Sequence, residues 1–409
     1  MLKLLNDVRV LELGHILMAP YATQFLGDMG ADVIKVEPLS GDLYRTVGVG
    51  RTRGMSSQWM SANRNKRSIA LDLKSEEGRA VLKQMIAQAD ILVHNMRPPA
   101  IERLGFGYDA IREINPKLVY CAAIGFGRDG PYADYPAFDD VIQARSGLAA
   151  INGRLNGRPS FVPVAIADKA VGLMVGQAML AGLYRQRATG EGCYLETPMF
   201  EAMVGVVLNQ HFNGHAFRPP IDGLGYARVM SPYRHPSATA DGYIVHGVYK
   251  FEQWQRFLAR VGRQDVLDGP LMADRHAMAQ NIGRLYEITS TEILPKKTTA
   301  EWERILDELD IPSAPVLDLE DLEDDPHLRA VGLFEDYEHP TQGPMRQVRM
   351  PYGARDVEQG PDRYPPDLGA HGAEVLHDFG FDADRIAALH DSGVLAQDSG
   401  ARQEPEEQP

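Results

Sequence analysis

The chain has 409 residues, of which 44% are hydrophobic, so it is long enough to form two domains that each bury a core. Its formal net charge of −14 argues against a nucleic-acid-binding surface, where basic residues cluster on one face. The two cysteines, Cys121 and Cys193, form no CxxC motif, so neither a zinc site nor a disulfide framework is expected. Two free thiols in a reducing cytosol are favoured over one disulfide between them.

Charged residues interrupt the apolar N-terminal segment at Asp7, Arg9 and Glu12, so this segment does not have the core of a signal peptide. No segment is expected to have the uninterrupted apolar length that a membrane span requires. We therefore expect a soluble, cytoplasmic protein whose partners include neither nucleic acid nor a membrane.

Apolar strands alternate with helices through the first half of the chain. The predicted strands are residues 8–13, 31–37, 67–73, 89–95 and 118–124. The predicted helices are residues 21–29, 75–89, 101–104 and 108–114. This alternation predicts an α/β fold with a parallel, doubly wound sheet.

Ligands of such sheets bind beyond the carboxyl ends of the strands, where five candidate loops follow. They are residues 14–19, the segment from Pro38, Lys74, residues 95–97 and residues 125–130. No dinucleotide or P-loop glycine motif is present, so neither a nicotinamide enzyme nor a nucleoside-triphosphate enzyme is expected. The glycine-rich segment GFGRDG at 125–130 matches neither motif, and a plain turn is the alternative there.

The stretch from Pro163 to Phe200 is predicted to form a short strand, a helix and, after a turn at Gly190, a second strand. Asp168 ends the first strand and takes the N-cap position of the helix, whose apolar residues recur at helical spacing. The helix also has small residues that let another backbone approach closely, namely Gly172, Gly176, Ala181 and Gly182. Asp168 is therefore either a simple helix cap or a carboxylate held rigidly at the mouth of a cleft.

The composition becomes irregular around residues 213–234, which predicts a crossing into a second domain. A hairpin is expected at 237–248 with its turn at Asp241-Gly242, and Thr298 has capping-box spacing to Glu301. The other expected elements are helices at 251–261, 275–294 and 299–309, strands at 334–339 and 345–351, and two short helices within 368–395. The acidic tail from Gln397 is expected to be disordered.

Several of these segments, taken in order, resemble the family III CoA-transferases, the group of formyl-CoA transferase and carnitine-CoA transferase. The similarity extends to about Leu395. The segments that carry it are VRVLELGHILMAPYATQFLGDMGADVIKVEP, ANRNKRSIALDLKSEEG, the run from ADILVHN to GFGRDGP, FDDVIQARSGL, residues 164–201 and LGAHGAEVL.

The resemblance implies a Rossmann-like large domain built from both ends of the chain, with a smaller α+β domain inserted in the middle. It also implies a homodimer in which two subunits interlock as rings. The changes in composition agree with an N-terminal part of the large domain at 1–213, the inserted domain at 214–325 and the return to the large domain at 326–396. Residues 397–409 form the predicted disordered tail.

The resemblance further implies that Asp168 is the nucleophile of an acyl-CoA:carboxylate CoA-transferase. A carboxyl group with an unperturbed pKa of about 4 is ionised at neutral pH and attacks a thioester without a general base. The implied intermediates are an aspartyl anhydride and an aspartyl-CoA thioester. The implied substrates are coenzyme A, bound as an acyl-CoA, and a small organic acid, with no metal and no nicotinamide.

The residues matched to the family's coenzyme A site lie in the loops after the strands. By the resemblance, the thiol end is lined by His15, Leu17, Met18 and Ala19, and the adenine and its phosphates are flanked by Leu71 and Lys74. The pantetheine arm is followed by Asn95, Met96 and Arg97, and Arg103 and Leu104 lie near the nucleotide. Asp139 matches an acidic residue beside the nucleophile, and Gly125 and Gly127 are candidates for backbone donors lining the active site.

The main alternative on the same fold is an α-methylacyl-CoA racemase, which pairs the same aspartate with a histidine on the preceding loop. Residues 124–167 contain no histidine, which favours CoA transfer. A catalytically silent CoA-binding protein is disfavoured because Asp168, Lys74 and Asn95 are all present. The glycine run of formyl-CoA transferases has no counterpart at 227–237, which disfavours an oxalate or formyl substrate.

Overall fold

The computed structural model describes residues 1–396, and the predicted disordered tail at 397–409 lies outside the described residues. The chain divides into two compact units. The first contains Met1–Ala149, Phe161–Val207 and the chain from Gly332 onward, and the second contains Ala150–Ser160 and Leu208–Val331. The domain boundaries predicted from the sequence stay a prediction. The second unit of the structure also includes residues 150–160.

The first unit is built on a six-stranded parallel sheet, which confirms the predicted α/β fold. Its strands are β1 (Arg9–Leu13), β2 (Asp32–Glu37), β3 (Lys66–Ala70), β4 (Ile91–His94), β5 (Val119–Ile124) and β6 (Cys193–Pro198). Their order across the sheet is β3-β2-β1-β4-β5-β6. The chain reverses direction across the sheet between β1 and β4, so the crevice for a ligand is expected beyond the carboxyl ends of these two strands.

The helices vary from single turns to 24 residues. They are α1 (Met18–Asp28), α2 (Ser57–Ser61), α3 (Glu76–Ile86), α4 (Pro98–Arg103), α5 (Tyr108–Ile114), α6 (Asp139–Arg145), α7 (Leu148–Asn156), α8 (Ile166–Thr189), α9 (Met199–His211), α10 (Phe251–Arg260), α11 (Gln264–Leu267), α12 (Arg275–Gln280), α13 (Ile282–Ile288), α14 (Thr299–Glu308), α15 (Pro326–Ala330), α16 (Gly372–Asp378) and α17 (Ala383–Asp391).

Helices cover both faces of the parallel sheet, because successive side chains of each strand point to opposite sides. Leu11 and Leu13 of β1 pack into the cluster formed with α3, α5, α16 and α17. Val10 of the same strand packs into the other cluster, with α1 and α8. The sheet is therefore buried on both faces, and its carboxyl edge is the part left for a site.

The second unit has a three-stranded antiparallel sheet of β7 (Ser237–Ala238), β8 (Tyr243–His246) and β9 (Ser313–Pro315). The pairing of Ala238 with Tyr243 confirms the predicted hairpin. The capping box at the start of α14 is also confirmed, since the Thr298 hydroxyl accepts from the Glu301 amide while Glu301 accepts from the Thr298 amide. In the first unit, β10 (Phe334–His339) and β11 (Gly343–Val348) form an antiparallel pair.

The single helix predicted over 275–294 is wrong, because the chain there forms α12, α13, a π turn at Thr289–Ile293 and a 3₁₀ turn at Leu294–Lys296. Side chains compete for the backbone acceptors at the breaks. The side-chain Nδ2 of Asn281 donates to the Ala277 carbonyl at 2.8 Å, and the Thr289 hydroxyl donates to the Leu285 carbonyl at 2.7 Å. Such local bonds weaken a continuous helix.

Helix α8 lies in the core of the first unit, and its glycines permit close packing as predicted. A Cβ atom built on Gly172 would lie 2.9 Å from the Met18 carbonyl oxygen of α1. One built on Gly182 would lie 2.6 Å from a methyl group of Val119. At Gly176 the nearest atom would be 3.9 Å away, an ordinary contact.

Helix α8 is also long and apolar enough, at 24 residues, to cross a membrane by length and composition alone. The sequence-based expectation that no segment has this character is therefore wrong for residues 166–189. The apolar length has another explanation in the fold, because Val171, Val175 and Met179 are fully buried against α1 and the sheet. Core helices of soluble proteins meet the same criterion.

Two glycine-to-alanine substitutions in α8 form a matched pair for testing this packing. Gly176→Ala is expected to raise the free energy of unfolding by up to about 1 kcal/mol, because alanine is the better helix former. Gly172→Ala is expected to lower it by about 1–3 kcal/mol, because the new methyl group overpacks the contact with α1. Urea unfolding of both variants measures the difference, and equal effects would contradict the close approach of α1 and α8.

Candidate active site

Asp168 lies in the first turn of α8, and the structure corrects two predictions about it. No strand precedes the helix: residues 163–165 are irregular, and Pro163 has no N–H group with which to pair. Asp168 is also not the N-cap, because the helix begins at Ile166 and Ala165 occupies the cap position without a side-chain bond. The Asp168 carboxylate is therefore not used up as a cap and stays half-buried at the head of the helix.

Asp139 of α6 supplies the missing cap from a distant part of the sequence. Its Oδ1 atom accepts from the Ala167 amide at 2.7 Å and from the Asp168 amide at 3.0 Å. Its Oδ2 atom accepts from Gln143 Nε2 at 2.6 Å, and Gln143 Oε1 in turn accepts from the Val162 amide at 2.9 Å. Asp139 thus fixes the position of the backbone that carries Asp168 and adds a negative charge beside it.

Burial, followed by the charge of Asp139, raises the pKa of the Asp168 carboxyl to about 7, while Lys169 acts in the opposite direction. The expectation of an ordinary, fully ionised carboxylate at neutral pH is therefore wrong. Partial removal from water disfavours the charged form, and the neighbouring carboxylate adds like-charge repulsion. Near pH 7 about half of the molecules carry the ionised carboxylate.

The loops after β1 and β4 are tied together at the point where the strand order reverses. The His15 amide donates to Asn95 Oδ1 at 2.8 Å, and Asn95 Nδ2 donates to the His15 carbonyl at 2.7 Å. Burial and the nearby Lys35 ammonium lower the pKa of His15, so its imidazole is neutral at pH 7. Two predicted site residues from separate loops thus form one rigid edge of the crevice.

Ile16, the next residue in this loop, is held in an unfavourable backbone conformation. Its φ angle is +64°, a region that a β-branched residue rarely adopts. Both carboxylate oxygens of Asp42 lie 3.1 Å from the Ile16 amide nitrogen and accept its hydrogen bond. Asp42 is itself held in place, because it also accepts from the Tyr44 amide at 3.0 Å.

A buried network of charges stands beneath this loop. Lys35 Nζ lies 2.8 Å from Glu12 Oε1 and 3.0 Å from Asp42 Oδ2, and it donates to the Gly14 carbonyl at 2.7 Å. Lys66 Nζ lies 2.8 Å from Glu12 Oε2. The four charged side chains are almost completely buried, and their formal charges sum to zero. Burying such charges is tolerable only because each is paired and hydrogen-bonded.

Electrostatic pairing decides the ionisation of this network. Burial alone would raise the pKa of the Glu12 carboxyl, but Lys35 and Lys66 hold it below its ordinary value. Burial likewise opposes the charge of Lys35, yet Glu12 and Asp42 hold its pKa above the ordinary value. Burial lowers the pKa of Lys66 to about 8. The network is thus charged at neutral pH.

The sequence analysis missed this network, although a signal for it was present. Glu12 and Lys35 lie within the predicted strands 8–13 and 31–37, and Lys66 directly precedes the predicted strand 67–73. A charged side chain in such a strand needs a partner of opposite charge. Glu12 and Lys35 are direct neighbours in the register of β1 and β2.

The remaining predicted coenzyme A residues fall into two groups. Five are at least half-buried in or against the apolar clusters, namely Met18, Ala19, Leu71, Met96 and Leu104. Leu17 is buried and lines a cleft at the start of α1. The cations Lys74, Arg97 and Arg103 are exposed beyond the carboxyl ends of β3 and β4, where they are accessible to phosphate groups. Their roles in coenzyme A binding stay predictions.

The Gly127 and Gly130 amides of the glycine-rich loop already have acceptors. The Gly127 amide donates to Glu201 Oε1 at 2.9 Å, and the Gly130 amide donates to the Gly127 carbonyl at 3.2 Å. Gly125 lies so close to Ala137 that its Cβ would be 2.4 Å from the alanine methyl group. In this structure the Gly127 amide is therefore engaged rather than free for a developing oxyanion.

Two further properties of the described chain bear on cofactors. Cys121 is buried and Cys193 is half-buried, and both are free thiols, as the sequence indicated. Within residues 1–396 no group of three or more His, Cys, Asp or Glu side chains is arranged to hold a metal ion. The expectation of a reaction without a metal stays a prediction.

These features define a class of protein: an α/β protein with a Rossmann-type strand order and a half-buried carboxylate at the head of a core helix. The sequence model of CoA-transferase family III matches residues 5–372. The chain therefore belongs to CoA-transferase family III, and it is a CoA-transferase.

Individual relatives agree with this assignment along nearly the whole chain. The succinate–glutarate CoA-transferase of Agrobacterium fabrum is 34% identical, with 91% of this chain and 94% of the relative covered. The succinyl-CoA:glutarate CoA-transferase of Homo sapiens is 31% identical, with 97% of this chain and 91% of the relative covered. The crystal structure of a CAIB/BAIF family protein from Brucella suis superposes with a TM-score of 0.76 at 29% identity, covering 93% of this chain and 100% of that one.

The raised pKa of Asp168 predicts a pH-dependent cost in stability. The folded state binds the Asp168 proton more tightly than the unfolded chain does, so stability falls as the pH rises from about 4 to about 7 and is level above that. Asp168→Asn removes this cost. Its free energy of unfolding should match the wild type near pH 4 and exceed it, by at most roughly 4 kcal/mol, above pH 8. Urea unfolding at both pH values measures the gain, and a gain independent of pH would contradict the shift.

Proposed function

We propose that the protein transfers coenzyme A from an acyl-CoA to a carboxylic acid through covalent intermediates on Asp168. The observation that carries the proposal is the placement of Asp168. Its carboxylate is half-buried at the head of α8, is not consumed as a helix cap, and has a pKa of about 7, so a nucleophilic fraction is present at neutral pH. The relatives named for succinate and glutarate support a carboxylic acid as acceptor.

The proposed first half-reaction has two steps. A carboxylate oxygen of Asp168 attacks the thioester carbonyl carbon, the C–S bond breaks, and coenzyme A leaves as the thiolate. The product on the enzyme is a mixed anhydride of Asp168 and the donor acid. The thiolate then attacks the Asp168 carbonyl carbon, which releases the donor acid and leaves an aspartyl-CoA thioester. Each bond to the activated carbonyl is exchanged for another, so no ATP is needed.

The second half-reaction is the reverse with a different acid. The acceptor carboxylate attacks the aspartyl thioester and expels the thiolate, which gives a new mixed anhydride. The thiolate attacks the acceptor's carbonyl carbon and releases the Asp168 carboxylate. The rigid pairing of His15 with Asn95 supports these steps by fixing the loop that the resemblance assigns to the thiol end of coenzyme A.

Chemical trapping tests the covalent mechanism. Hydroxylamine added during turnover with succinyl-CoA should convert the aspartyl thioester to a hydroxamate, seen as a mass increase on the peptide that contains Asp168. Asp168→Ala should abolish transfer while its binding of coenzyme A stays measurable. Turnover by Asp168→Ala, or repeated turnover by the wild type without any trapped adduct, would show that Asp168 is not the nucleophile. Solvent deuterium entering the α-carbon without CoA exchange would instead indicate racemase chemistry.

The pH profile of transfer should report the influence of Asp139 on Asp168. Asp139→Asn removes a neighbouring negative charge while leaving an amide oxygen to accept from the helix. The acidic limb of kcat/KM, which follows ionisation of Asp168, should therefore move to lower pH by up to about one unit. Asp140→Asn, at the adjacent exposed position of α6, is the matched control and should leave the limb in place. An unchanged limb in Asp139→Asn would contradict the electrostatic role.

We also propose that the protein is a cytoplasmic homodimer of the interlocked kind that the resemblance implies. Large apolar side chains on the outer face of α8 support self-association, since Leu173 is 42% exposed and Tyr184 is 78% exposed. Contacts between copies commonly bury such residues. Light scattering after gel filtration measures the molar mass, and a monomer at working concentrations would refute the dimer.

A further inference from the structure

A cleft of about 560 Å³ opens beside the head of α8, within the first unit. Ala165 and Lys169, which lie one helical turn apart and flank Asp168 in the sequence, both line it. Tyr44 lines the cleft as well. Its hydroxyl pKa is raised mainly by burial and, second, by the negative charge of Asp168. The cleft therefore lies beside the first turn of α8, although Asp168 itself is not among its lining residues. Its volume suits a small organic acid beside part of a larger substrate.

The charge of the cleft is of one sign. Of the residues described as lining it, none is Asp or Glu, whereas three are cations: Arg64, Lys169 and Arg349. Arg64 is already engaged, because its guanidinium forms bonds of 2.9 and 2.6 Å with the Asp28 carboxylate and donates to the Val348 carbonyl. Within residues 1–396, no ion pair or side-chain hydrogen bond is found for Lys169 or Arg349. Two cations that form no short ion pair in the described chain thus border one cleft.

Apart from Gln24, Gln58 and Ser61, the rest of the cleft is lined by apolar and aromatic residues. Leu17, Phe25 and Met350 line it, together with prolines at both rims. Such walls accommodate a short methylene chain, while the cations attract charges at its ends. A ligand with two carboxylates joined by a few methylene groups matches this combination better than a monocarboxylate does.

We propose that Arg349 is a specificity-determining residue that binds the second carboxylate of a dicarboxylic acid acceptor. The reacting carboxylate then lies at the Lys169 end, beside Asp168, and the guanidinium forms a paired hydrogen bond with the distal one. This assignment rests on the proposed CoA transfer and names the substrate class for the same site. Arg349 acts on binding of the acid, not on the chemistry at the thioester.

Glutarate and its monoamide provide a matched pair of acceptors, because they have the same shape and differ by one charge. With succinyl-CoA as a constant donor, the wild type should use glutarate with a KM at least about tenfold lower than that of the monoamide. Arg349→Gln should raise the KM for glutarate about tenfold and change the KM for the monoamide by less than about twofold. Arg349→Lys should restore part of the preference, because it keeps the charge but loses the paired geometry.

Reversing the charge gives a second, independent readout. Arg349→Glu should lower the preference for glutarate and improve the use of 5-aminopentanoate, whose distal group is a cation. Arg355→Gln removes an exposed arginine of the same segment that does not line the cleft, and it should behave as the wild type. Thermal unfolding of each variant confirms that it is folded.

The outcomes separate this inference from the proposed function. Equal use of glutarate and the monoamide by the wild type, or a KM for glutarate unchanged in Arg349→Gln, would overturn the role of Arg349 while leaving CoA transfer intact. A rise in the KM for succinyl-CoA alone would also overturn it, since Arg349 would then act on the donor. Absence of transfer to every acid tested would refute the proposed function itself.

Discussion

The rest of the site depends on the buried ion pairs that the Lys35 ammonium group forms with Glu12 and Asp42. The ammonium group connects Glu12 at the end of β1 with Asp42 in the loop after β2, and all three side chains are buried. Removing one member would leave an uncompensated charge in a region of low dielectric, which costs several kcal/mol. The network also explains how Ile16 keeps its strained conformation, because Asp42 is held in position to accept from the Ile16 amide.

A second carboxylate, from a distant segment, influences the ionisation of Asp168. Asp139 stabilises the start of α8 by accepting from two of its amides, and the same negative charge makes ionisation of Asp168 more costly. Capping and pKa tuning are thus consequences of one contact. A site of this kind loses stability at neutral pH because it holds a carboxylate that is partly removed from water.

Many features of the fold were predictable because they depend on local patterns. The parallel strands, their order of alternation with helices and the hairpin at Asp241-Gly242 follow from runs of apolar residues and from turn residues. Errors arose where side chains override the pattern: Asn281 and Thr289 interrupt a periodic helix, and Pro163 prevents a strand that its apolar neighbours favour. The resemblance to a family identified Asp168, but neither it nor periodicity indicated the buried partners of Glu12.

The sequence by itself therefore determined the α/β class and the family and indicated Asp168 as the candidate nucleophile, because residue type, spacing and motif order are properties of the chain. Only the tertiary structure decided the state of that carboxylate. Its helix is capped by Asp139 from another segment, its pKa is set by burial and by that same neighbour, and the cations that border its cleft come from α8 and from the chain after β11. Electrostatic and hydrogen-bond energies depend on distance in space, and residues far apart in sequence meet only when the sheet and its helices have folded.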